Sequence, residues 1–135
     1  MDLKEQKFGI EIEMTGITRA RAAEVTAEYF GTRVKYLGTY YDTYAAIDTE
    51  GRQWKFMSDG SITAQKKSNG RKINAGREYQ TEMVSPICRY EDIVTIQEII
   101  RKLKEYGALT NGSCGIHVHI NAEPFDARTL RNITN

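Results

Sequence analysis

Apolar and polar residues alternate through Phe8-Gly9-Ile10-Glu11-Ile12-Glu13-Met14, and this period of two predicts a strand over 7–14. Successive strand side chains point to opposite faces, so Ile10, Ile12 and Met14 share one face and Glu11 and Glu13 the other. Gly16 ends the run, and Thr18 offers an N-cap for a helix over about 19–30 that Gly31 would close. The apolar side of that helix is modest, built from Ala22, Ala23, Val25, Ala27, Tyr29 and Phe30. Short β-like runs follow at 34–37, 40–47 and 53–57, separated by Gly38 and by the turn Asp48-Thr49-Glu50-Gly51, in the manner of a meander.

The basic stretch 65–72 shows no periodicity and reads as an exposed loop. A strand over about 77–85 stops at Pro86, which cannot donate to a sheet ladder. From Glu91 to Tyr106 the period changes: Ile93, Ile96, Ile99, Ile100, Leu103 and Tyr106 recur at helical spacing, acidic residues open the first turn and Gly107 closes it. A last alternation, Gly115-Ile116-His117-Val118-His119-Ile120, predicts a strand over about 114–121, and a third helix is expected over Asp126–Ile133. The order β-α-β-β-β-β-α-β-α predicts an α+β fold, a largely antiparallel sheet with its helices packed on one face. The opposite face would then carry Glu11, Glu13, Glu78, Gln80, Glu82, His117 and His119, drawn from three strands.

Composition narrows the setting. The chain has 135 residues, the size of one domain, and can bury roughly two thirds of its unfolded surface. A formal charge of +1 gives no long-range field for duplex nucleic acid or an anionic membrane, so neither is expected as a partner. The charged start Met1-Asp2-Leu3-Lys4-Glu5-Gln6-Lys7 is followed by no apolar run, which reads as neither a secretory signal nor a span, and the expected location is cytoplasmic. Cys88 and Cys114 stand far apart with no Cys-x-x-Cys spacing and read as reduced thiols.

The chemistry lies in the polar strand face. Alternation of this kind is also what any half-solvated strand shows. Here, however, the face consists of acids, an amide and the chain's only two histidines, without the Thr, Ser and Lys that a merely solvated face would mix in. Carboxylates at i and i+2 lie about 7 Å apart and repel by roughly 2 kcal/mol at an effective dielectric near 20. A divalent cation would offset that, and oxygen donors with few nitrogens favour Mg²⁺ or Mn²⁺ over a thiolate-type zinc site. Asp59-Gly60-Ser61 follows the strand Gln53–Met57 as a tight turn that can hold a carboxylate and a hydroxyl at the sheet edge, or serve only as a turn. Arg77 could meet a phosphate or carboxylate in two-pronged fashion, or form a surface ion pair. Lys66, Lys67, Arg71 and Lys72 either cover a phosphate or keep their loop solvated.

Together, Gly9-Ile10-Glu11-Ile12-Glu13, the segment Trp54 to Ser61, Glu82-Met83-Val84-Ser85-Pro86 and Gly115-Ile116-His117-Val118-His119, in that order, resemble the amidoligase family of the glutamine synthetase-like carboxylate-amine ligases, which include glutamate-cysteine ligases. The resemblance implies a glutamine synthetase-like catalytic half-domain spanning 1–135 as a single domain, with further strands, acids and basic residues expected beyond it. It implies ATP-dependent amide bond formation through an acyl phosphate, with Mg²⁺ or Mn²⁺ as cofactor and ATP as cosubstrate. By similarity Glu11, Glu13, Glu82 and His117 would be metal ligands, Asp59, Arg77 and His117 catalytic groups, and His119 and Ser61 nucleotide contacts. Expected partners are small-molecule or peptide carboxylate and amine substrates, and a second copy or a complementing chain at an open sheet edge.

Two other readings fit the same residues. A fold-retaining, non-catalytic binding module would use the same acidic face or the sheet edge for a protein. Alternatively, His117-x-His119-x-x-x-Glu123 echoes the spacing of a cupin zinc or iron site, although Pro124 and the 91–106 helix do not suit an all-β barrel.

Overall fold

The structure is a computed structural model that describes residues 5–121. Its elements are β1 (Lys7–Met14), α1 (Arg19–Phe30), β2 (Val34–Gly38), β3 (Thr43–Ile47), β4 (Gln53–Met57), β5 (Gln65–Ser68), β6 (Arg71–Asn74), β7 (Thr81–Val84), α2 (Asp92–Glu105) and β8 (Ile116–Asn121). Six strands form one antiparallel sheet in the order β2-β3-β4-β7-β1-β8, while β5 and β6 form a separate hairpin. This is the expected α+β class. The helix expected at Asp126–Ile133 lies outside the described residues.

The strand alternation decides which face is dry. Ile12 and Met14 of β1, Trp54 and Phe56 of β4 and Met83 of β7 pack with Ala22, Ala23, Val25 and Ala27 of α1 and Ile96, Ile99 and Leu103 of α2. Helix α1 begins where Thr18 Oγ1 accepts from the Arg21 N–H and ends where Gly31 turns left-handed at φ 73°. A chain of ion pairs fastens α2 to the sheet: Asp48 accepts from Trp54 Nε1 and Arg52 Nε, and Arg52 reaches Asp92 with two N–H···O bonds of 3.0 and 2.9 Å. The thiols of Cys88 and Cys114 are free. No helix among the described residues is long and apolar enough to cross a membrane.

Three boundaries differ from the sequence expectation, each for a local reason. The strand expected from Arg77 is a 3₁₀ turn over Arg77–Tyr79 followed by β7 at Thr81. Carbonyls that a strand partner would need are taken by side chains, since Arg19 Nη1 donates to Arg77 O and Gln80 O, and Thr15 Oγ1 to Tyr79 O. Glu78 and Gln80 therefore do not sit in the strand; Glu78 instead borders a small cleft with Thr18, Arg19 and Asp42. Second, β3 starts at Thr43, because Thr39 and Asp42 adopt positive φ (62° and 50°) and the Asp42 carboxylate is held by Tyr36 and Arg19. Third, the basic stretch expected as a loop over 65–72 belongs to a β5–β6 hairpin that runs to Asn74, turned by Asn69-Gly70 at φ 52° and 78°, the left-handed pair of a type I′ turn. Ile73 is the one apolar residue in its two strands and it is exposed, so no alternation betrayed them.

Gly16 is where β1 leaves the sheet and meets the chain leaving α2. Thr15 and Leu109 exchange backbone hydrogen bonds, and a Cβ on Gly16, whose φ is +82°, would lie 2.3 Å from Gly107 O. Gly16→Ala is expected to destabilise the chain by about 2–4 kcal/mol, combining the left-handed penalty with a backbone clash. Gly112→Ala, where an added Cβ meets nothing within 4 Å, should change the urea midpoint little. Equal midpoints for the two variants would refute the close-approach account.

Candidate active site

The face of the sheet turned away from the helices carries the predicted carboxylates. Register places Glu13 opposite Glu82 on one side, while Glu11 is opposite His117 and Gly9 opposite His119 on the other. Asp59 joins from the turn after β4. That turn is anchored by buried Ile62, whose N–H donates to Asp59 O, and the Ser61 N–H and hydroxyl both donate to Asp59 Oδ1 at 2.9 and 2.7 Å. Carboxylate oxygens of Glu13, Asp59 and Glu82 lie within 4.8 Å of one another.

The trio is electrostatically uneasy. Glu13 is only 8% exposed, and its Oε1 accepts from the Gly115 N–H at 2.8 Å. Burial, then the neighbouring Asp59, pushes the Glu13 carboxyl upward despite that donor. Burial and Asp59, with Glu11 adding its charge, push Glu82 up to about 8. Burial would also raise Asp59, but its hydrogen bonds with Glu13, Ser61 and Glu82 outweigh it and pull the group down to about 2. The opposed shifts favour retention of a proton by the trio near neutral pH, with the Glu82 carboxyl the group most strongly biased to hold it. Three oxygens this close, all hard donors, fit a divalent cation, which would replace the proton and remove the repulsion.

The other expected site residues fall into two groups. Glu11 and His119 form a contact of 3.5 Å beside the trio, with the imidazole 58% exposed. His117 is also exposed, and its Nε2 lies at the Glu13–Gly115 corner: a Cβ on Gly115 would be 3.5 Å from Glu13 Oε1 and 3.8 Å from His117 Nε2. Arg77 is separate, on the exposed 3₁₀ turn before β7. Ser61 is present, but its hydroxyl is engaged in fixing Asp59. Asp59, expected as a catalytic group, is the third member of the convergent set, and Glu11, expected as a metal ligand, stands beside it.

The loop before β8 is the part that sequence reasoning missed. Asn111 donates to Thr63 O and Gln65 Oε1, and Ser113 Oγ accepts from the Thr63 N–H, tying residues 111–115 to the segment after Asp59. This places the Gly115 N–H on Glu13. The visible signal was Asn111-Gly112-Ser113, a cluster of turn formers immediately before the histidine strand.

An antiparallel sheet with one face buried by helices and three convergent carboxylates, Glu13, Asp59 and Glu82, on the other defines the class: an α+β protein with an acidic cluster on the open face of its sheet. A family model described as "Putative amidoligase enzyme" matches residues 4–135, and the chain belongs to that family. No curated protein and no solved structure matches it.

Proposed function

We propose that this chain carries the catalytic face of an ATP-dependent carboxylate-amine ligase with a glutamine synthetase-like sheet. The observation that carries the reading is the convergence of Glu13, Asp59 and Glu82 within 4.8 Å, in a chain of the amidoligase family. In the reaction, a substrate carboxylate oxygen takes the γ-phosphoryl group and ADP departs. The amine nitrogen then bonds to the acyl carbon, the bond to phosphate breaks, and the amine gives up a proton. Glu13, Asp59 and Glu82 would hold Mg²⁺ or Mn²⁺, which neutralises charge on the phosphates when bound.

The chain's own groups have distinct tasks in this reading. The Gly115 N–H and the Ser61 N–H and hydroxyl fix the Glu13 and Asp59 oxygens in advance, which spares that reorganisation when the reaction occurs. Glu11, His117 and His119, on the same face, are placed to contact phosphate or substrate. Among the described residues strand β8 ends the sheet order, with Ile116 and Val118 exposed, so further strands added at that edge would extend the site there. The described fold does not favour a cupin-type reading, because a six-stranded antiparallel sheet with helices on one face is not a two-sheet jelly roll. Glu123, the third residue of that motif, lies outside the described residues.

The test is thermal unfolding of the 135-residue chain with Mg²⁺, Mn²⁺ or Zn²⁺, each with and without ATP. Stabilisation by Mg²⁺ or Mn²⁺ that grows with ATP is expected, reaching about 2.7 kcal/mol at a hundred times the Kd. A chain indifferent to nucleotide, or answering to Zn²⁺ alone, would overturn the reading.

A further inference from the structure

On the other side of β1 from the carboxylates lies a cavity of about 400 Å³. Its floor is apolar, formed by Ile12 and Met14 of β1, Ile100 and Leu103 of α2, and Ala108 and Leu109 of the following segment. Lys67 and Lys72 of the β5–β6 hairpin and Lys104 of the last turn of α2 stand at its rim. Register puts Lys67 directly opposite Lys72, a like-charged cross-strand pair that costs stability unless an anion sits between. Among the described residues none of the three has a carboxylate partner; Lys72 Nζ donates to Thr110 O at 3.1 Å. The acidic residues of the opposite face cannot serve them, because the sheet intervenes.

We infer that this cavity binds an alkyl carboxylate, its chain on the apolar floor and its head group among Lys67, Lys72 and Lys104. Volume and lining match a small-molecule pocket, in which apolar walls supply affinity and a few charged groups fix orientation. The rim cations are lysines, compact point charges suited to one carboxylate head, and they carry none of the planar, paired donors that arginine would bring to a larger polyanion. Their charge complements a single anionic end, and apart from the lysines the one polar lining residue is Thr110, whose carbonyl already accepts from Lys72, which leaves little for the hydroxyls of a sugar or nucleotide.

Titration calorimetry on the full chain with decanoate, decanol and decyltrimethylammonium separates the two halves of the inference. Decanoate is expected to bind about tenfold or more tighter than decanol, and the quaternary cation weakest. In the triple variant Lys67→Gln, Lys72→Gln, Lys104→Gln, whose changes are all on the surface, the preference for decanoate should vanish while decanol binding stays. Ala108→Phe should weaken all three probes by filling the floor. Glu82→Gln should leave decanoate affinity unchanged, since it acts across the sheet. Equal affinity for decanoate and decanol, no binding of decanoate, or a preference that survives the lysine changes would overturn the inference.

Discussion

Glu82→Gln is expected to abolish the Mg²⁺-ATP response and, in metal-free buffer at alkaline pH, to raise stability. The carboxyl of Glu82 titrates near 8 in the folded chain against 4.5 for an unperturbed group. Between those values the folded state binds more protons than the unfolded one, so stability falls as pH rises, and the loss is complete once pH exceeds about 8. Each pH unit in that window removes up to about 1.4 kcal/mol, and partial exposure of Glu82 holds the total to roughly 2–3 kcal/mol. Asp59 contributes in the opposite sense and elsewhere: its lowered pKa adds stability above its unfolded value of 3.8, which is lost as pH falls through about 2.

Glutamine keeps the shape of Glu82 and its hydrogen-bonding reach toward Asp59 but cannot ionise. Urea midpoints at about pH 6 and about pH 9, with and without MgCl₂, should therefore show a pH-dependent loss in the parent that Mg²⁺ reverses, and neither effect in the variant. A variant that keeps the metal response would remove Glu82 from the ligand set. A parent whose midpoint is flat over that range would show that the trio does not retain a proton.

The chain announced most of this architecture wherever one period ran uninterrupted. The bounds of β1, α1 and β4 follow from alternation and caps, because Thr18 and Gly31 do their local work without help from distant residues. The carboxylate face was legible for the same reason: a period of two assigns Glu11 and Glu13 to one side whatever the strand pairs with. Legibility ended where tertiary hydrogen bonds decide. Arg19 and Thr15 capture carbonyls of residues 77–80 from across the fold, so the strand there begins late. Asp59 enters the trio through a turn whose direction depends on burial of Ile62, and Gly115 reaches Glu13 only because Asn111 is tied to Thr63 and Gln65. The β5–β6 hairpin was hidden because its register serves no core; its one local signal was Asn69-Gly70.

The largest stability loss is expected on the dry face, at Trp54. Its side chain is fully buried, tilted against Phe30 at 5.8 Å between ring centroids, and its Nε1 donates to Asp48 Oδ2 at 2.9 Å. Trp54→Ala removes the ring and orphans one acceptor position of a carboxylate that is itself only 4% exposed, so a loss of about 4–5 kcal/mol follows. That is a quarter or more of the total for an ordinary domain. Trp54→Phe largely separates the two parts, since it keeps a six-membered ring in the core while dropping the N–H together with the pyrrole part of the indole. Asp48 still accepts from Arg52 Nε and from the N–H groups of Glu50 and Arg52, so the phenylalanine variant should lose only about 1–2 kcal/mol. Far-UV circular dichroism in urea is the suitable probe, because Trp54 is the only tryptophan and its fluorescence goes with it. Equal losses for the two variants would mean that the indole N–H, and through it the Asp48–Arg52–Asp92 chain that holds α2, dominates over packing. In either case the phenylalanine variant should keep its Mg²⁺-ATP response, because Trp54 and the carboxylates lie on opposite faces of one sheet.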